Sequence, residues 1–223
     1  MNAHRLSVFA AVLTMSMLSV LSAAPATEDV LAAAKAGDRA QLEELLTGIS
    51  VPELQALVKG SAEDLSRLQL ASVLNTAVCT ATDRPEIARA GFSAAMEAME
   101  SDPATAAFLM SSLTTAVYEV CTLEDEEALA TLRAAAEGAV GGTSEENQAT
   151  VAGEIAKVAV AAAPADKKTT VGTAVQSGAA AGAAPGQRAA VRRAASSGAQ
   201  GGPPPQEDVV QPTELDDVPV SGQ

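Results

Sequence analysis

Tryptophan is absent from this 223-residue chain, tyrosine occurs once and phenylalanine three times. The aromatic platforms that glycosidase sites normally bring are missing. Histidine is almost as scarce: the one copy, His4, lies ahead of a segment read below as removable. Without it there is no His-based triad, no His-metal site and no imidazole for acid–base chemistry. No P-loop, dinucleotide glycine fingerprint or Gly-x-Ser-x-Gly elbow appears. The chain is read as non-catalytic, with no cofactor and no metal. Basic residues are outnumbered by acidic ones, 14 against 28, for a net charge of −14. Such a surface repels phosphate backbones, so no nucleic-acid partner is expected.

Only residues 6–21 form a long uncharged apolar run. His4 and Arg5 precede it and the small residues Ser22-Ala23-Ala24-Pro25-Ala26 follow. This is the layout of a secretory signal peptide, assigned to residues 1–26. The run falls short of the ~20 residues that span a bilayer, so no stable membrane span is expected after its removal. The mature chain is placed in the periplasm or outside the cell. The signal and the lack of N-x-S/T acceptor sites in the mature chain point to a bacterial envelope.

What is abundant is alanine, and strand formers are few. The fold expected is all-α, a multi-helix bundle or a short α-solenoid of helix pairs. Residues 27–163 make an acidic helical domain, and up to Glu146 they carry 21 acidic and 7 basic side chains. Residues 164–200 are Ala/Gly-rich and expected to be peripheral helices, and residues 201–223 an acidic, Pro-containing disordered tail. The basic residues Lys167, Lys168, Arg188, Arg192 and Arg193 are read as solvated helix surface.

Start and stop signals agree with the apolar period along much of the chain. Gly37 ends a first helix and Asp38 opens a second. Ser50-Val-Pro-Glu53 opens a third, which Gly60 closes, and Ser61-Ala-Glu-Asp64 opens a fourth. Asp83, Asp102, Thr122 and Thr143 begin the next four. The uncharged stretch Pro103–Tyr118 reads as a central helix wrapped by its sequence neighbours. Leu31–Leu46, LAAAKAGDRAQLEELL, resembles the helix pair of an ankyrin repeat. No T-P-L-H turn or second copy accompanies it, so it implies a generic αα-hairpin.

Two internal echoes are visible. Val78-Cys79-Thr80 returns as Val120-Cys121-Thr122, and Thr150-Val151 returns as Thr170-Val171, with Pro164 echoed at Pro185. The only two cysteines, Cys79 and Cys121, occupy equivalent places in the first echo. An even count in an exported chain points to a disulfide between them, the alternative being two buried free thiols too far apart to bridge. Phe92, Met96, Met99, Phe108 and Met110 are the candidate lining of an apolar ligand cavity. The function expected is a structural or protein-interaction component of the cell envelope, its protein partner and oligomeric state unspecified; the alternative is a carrier of a small apolar ligand or lipid.

Overall fold

The computed structural model describes residues 26–201; the segments expected to be a signal peptide and a disordered tail, apart from Ala26 and Gly201, lie outside that range. Among the described residues there are ten α-helices and no strand: α1 (Thr27–Ala36), α2 (Arg39–Leu46), α3 (Val51–Ser61), α4 (Arg67–Thr80), α5 (Arg84–Ala98), α6 (Pro103–Thr115), α7 (Asp125–Gly141), α8 (Gln148–Ala162), α9 (Lys168–Gly182) and α10 (Arg188–Ala199). A π-helical turn, Ala116–Val120, extends α6.

Polar side chains fix most of the early boundaries. Gly37 takes the left-handed conformation (φ 69°) that closes α1, and the Asp38 carboxylate accepts the Gln41 N–H to open α2. Ser50 and Glu53 form a capping box, as do Ser66 and Gln69. Asp83 and Asp102 cap α5 and α6. Three boundaries differ from expectation. Gly60 stays inside α3 and α4 opens at Ser66, because the Ser66–Gln69 box satisfies the first amides better than Ser61, whose hydroxyl donates back to the Leu57 carbonyl. Thr122 has φ 48° and cannot begin a helix, so α7 starts at Asp125. Residues 143–147 form a turn ahead of α8, and the Thr143 hydroxyl is used by the Ala139 carbonyl.

Each helix packs chiefly on the one two places along the chain. α3, α5, α7 and α9 form one row, α2, α4, α6, α8 and α10 a second, with α1 against α2, α3 and α4. The two rows face each other across a continuous apolar core. α6 is thus one member of the second row, lying between α4 and α8, and not a hub wrapped by α5 and α7. It buries Leu109, Met110, Leu113 and Val117, while Phe108 is 39 % exposed. Its dry face is real; its neighbours are the alternate helices.

The Ala/Gly-rich helices are integral to the rows, in contrast to their expected peripheral place: Val171, Val175, Ala179, Val191 and Ala195 belong to the same core. Of the twelve largest fully buried side chains only Leu132 and Ile155 come from α7–α10. Small residues there let the backbones close up instead. A Cβ built on Gly138 would lie 2.1 Å from the Arg89 carbonyl oxygen, and one on Gly142 2.4 Å from that of Ser93. Gly178 and Gly182, forty residues on, meet the Arg133 and Glu137 oxygens at 2.0 and 2.1 Å. In the second row Gly198 meets the Gly153 oxygen at 2.1 Å. Such approaches suit Cα–H···O contacts, and no other residue type fits them without a shift of backbone.

α8, α9 and α10 begin twenty residues apart, at Gln148, Lys168 and Arg188. Their preceding turns are superimposable in kind: Asn147, Lys167 and Gln187 donate to the carbonyls of Ser144, Pro164 and Ala184, all at 2.9 Å. Val151, Val171 and Val191 are wholly buried at matching positions. Pro164 therefore corresponds to Ala184, and Pro185 stands one place out of register.

Candidate functional site

Cys79 lies in the last turn of α4 and Cys121 follows the π turn of α6, in adjacent helices of the second row. Their sulfurs lie 1.95 Å apart and their Cα atoms 5.2 Å, a disulfide pair. The π turn carries an extra residue per turn, and Cys121 N–H donates to the Ala116 carbonyl at 2.8 Å. A small cavity of about 130 Å³ beside the bridge is lined by Asn75, Thr76, Cys79 and Val120.

The five candidate ligand-lining residues differ in exposure. Phe92, Met96 and Met110 are closed into the core, Met99 is packed against its edge, and Phe108 points outward. None of them lines the cavities described here. The acidic group near α7 is used structurally: Asp125 pairs with Lys167, and Glu127 with Arg84. The hydrogen bond to Asp125 raises the Lys167 pKa, while burial pushes the neighbouring Tyr118 phenol up.

Ion pairs link successive helices of the first row: Lys59 (α3) to Glu97 (α5) at 2.6 Å, Arg89 (α5) to Glu137 (α7) at 3.3 Å, and Asp125 (α7) to Lys167 at the head of α9. This lacing stops at α9. There the row opens into a groove of about 680 Å³ along the outer side of α9, between α7 and α10. Arg133 enters it from α7, Thr173, Ser177 and Ala181 from α9, and Arg188 and Arg192 from successive turns of α10. Among the described residues no acidic side chain lines it. All three arginines are exposed, and among the described residues none makes an ion pair. On a chain of net charge −14 this is a local reversal of sign.

No protein-family model, curated protein or solved structure matches the chain. The groove has to be read from its chemistry. Three guanidiniums offer paired N–H donors matched to carboxylates or other oxyanions. The serine and threonine hydroxyls beside them can donate to the same oxyanion. In sequence Arg188 and Arg192 read as solvated helix surface, because Arg133, which joins them here, lies more than fifty residues away. The available signal was the i, i+4 spacing of Arg188 and Arg192 on one helix face. Among the described residues no helix is long and apolar enough to cross a membrane.

Proposed function

We propose that this chain is a non-catalytic, exported helical protein that serves as a structural or protein-interaction component of a bacterial cell envelope. The observation that carries this reading is the basic groove at the open end of the first helix row, set against a strongly acidic body. A stack that ends in an uncapped, charged face has a place for a partner, as in other stacked-helix proteins whose surfaces are extended binding sites. Export rests on the N-terminal apolar run with its small-residue junction and on the Cys79–Cys121 pair, since disulfides persist in oxidising compartments. No specific observation favours the carrier alternative, because Phe92, Met96 and Met110 fill closed core.

The test is cross-linking in intact cells that produce the full-length chain, followed by mass spectrometry of the adducts. The expected result is one envelope protein linked to this chain in near-stoichiometric amount. A chain that stays unlinked and purifies with one apolar molecule per copy would replace this reading with the carrier.

A further inference from the structure

From α5 to α9 the first row is built by one repeated device. A helix presents two backbone carbonyls a turn apart, and the next helix sets two glycines on them: Gly138 and Gly142 on Arg89 and Ser93, then Gly178 and Gly182 on Arg133 and Glu137. Around the second seat Ala136 and Gly141 complete the contact with α9. Carried forward forty residues, the α7 seat of Arg133, Ala136, Glu137 and Gly141 falls on Thr173, Gln176, Ser177 and Ala181 of α9. All four line the open groove. The groove thus lies over the α9 positions that correspond to the seat of α9 on α7.

Charge sets the two steps apart. Arg89, whose carbonyl holds Gly138, sends its guanidinium to Glu137, the residue just before that glycine. One step later Arg133 holds Gly178, but the residue before Gly178 is Ser177. Arg133 is left facing the groove with no carboxylate partner among the described residues, together with Arg188 and Arg192.

We propose that the groove receives a helix of a partner protein, laid along α9 as the next member of the row. That helix carries small residues four apart against the Thr173–Ser177 backbone and carboxylates toward Arg133, Arg188 and Arg192. The proposal rests on the protein-interaction reading above and narrows it to one surface and one kind of ligand. Continuity with the existing helix-on-helix contacts sets the shape of the partner, and the unpaired arginines set its sign.

The probe is a fluorescent, hydrocarbon-stapled peptide copying Asp125–Thr143, which combines acidic residues with the Gly138/Gly142 pair. Its binding to the full chain is followed by fluorescence anisotropy. Saturable binding is expected, weakened at least tenfold by R188E/R192E in the chain and at least tenfold by Gly138→Val/Gly142→Val in the peptide. Circular dichroism of R188E/R192E, whose changes are on exposed side chains, verifies the fold. Absence of saturable binding overturns the proposal. Binding that ignores the glycine-to-valine change also overturns it, leaving the groove a plain anion patch. A peptide of residues 202–223 that displaces the probe at lower concentration assigns the groove to this chain's own tail instead. Self-association lost on R188E/R192E assigns it to a second copy. An in-cell partner whose cross-linking survives R188E/R192E leaves the interaction reading standing and removes this site from it.

Discussion

Replacing Gly178 by alanine sets two opposed effects against each other, and the structure says which wins. In an isolated helix the change is favourable by up to about 1 kcal/mol, because glycine has more backbone freedom to lose. Here the new methyl would stand 2.0 Å from the Arg133 carbonyl oxygen, 2.8 Å from its carbon and 3.1 Å from Ala136 Cβ. Ordinary contact begins at 3.4 Å, so α9 must withdraw from α7 by about 1.4 Å. The neighbour is backbone and cannot swing aside. A gap of that size forfeits much of the dispersion energy along Val175 and Ala179, and overpacking of this kind costs about 1–3 kcal/mol. The expected net loss is about 1–2 kcal/mol. Gly60→Ala is the matched control: Gly60 is helical and faces open space, so it is expected to gain up to about 1 kcal/mol. Urea unfolding followed by circular dichroism measures both. Hydrogen exchange should place the Gly178→Ala loss in α9 and α10, since stacked helices depend on nearest neighbours. Two variants that stabilise alike would refute the close-approach argument.

Removing the Cys79–Cys121 bridge, by reductant or by Cys79→Ala/Cys121→Ala, opens a loop with a separation of 42 residues and is expected to cost about 4 kcal/mol by chain entropy; an unchanged urea midpoint would contradict this. Gln148→Leu should destabilise by about 1–3 kcal/mol, because the buried amide donates to the Val140 and Thr143 carbonyls and accepts the Ala184 N–H. Thermal melts would check it. The Thr105 hydroxyl, with the Ala104 and Thr105 amides and Arg67, holds the Asp102 carboxyl below its usual range, and Lys59 does the same for Glu97. A lowered folded value means stability that is complete above the unfolded carboxyl range, about pH 4, and lost as pH falls through the folded values. Thr105→Val should flatten that acid limb in pH-dependent unfolding, and an unaltered slope would sink the assignment.

The helical class and the early boundaries were legible because Asp38, Ser50, Asp83 and Asp102 announce helix starts by local hydrogen bonding alone. Cys79 and Cys121 were legible because only one pairing exists. The place of α6 was not, since an uncharged helix face says that it is covered and not by which helix. The role of Gly178 and Gly182 was also hidden. Their spacing reads as weakness in a lone helix, and becomes strength only when a carbonyl from α7 stands opposite. The groove was hardest to see, because it depends on the side-by-side placing of α7, α9 and α10, which no local pattern encodes.

The twenty-residue step from α8 to α10 also makes the architecture extensible. Duplicating a forty-residue block would add one helix to each row with the same turns and leave an identical terminus, so a longer or shorter rod needs no new joint. Inserting a single twenty-residue unit would transfer the exposed end from one side of the rod to the other. Length could thus be altered with or without a change of end by whole-unit gain or loss, a change that unequal recombination supplies without any point substitution.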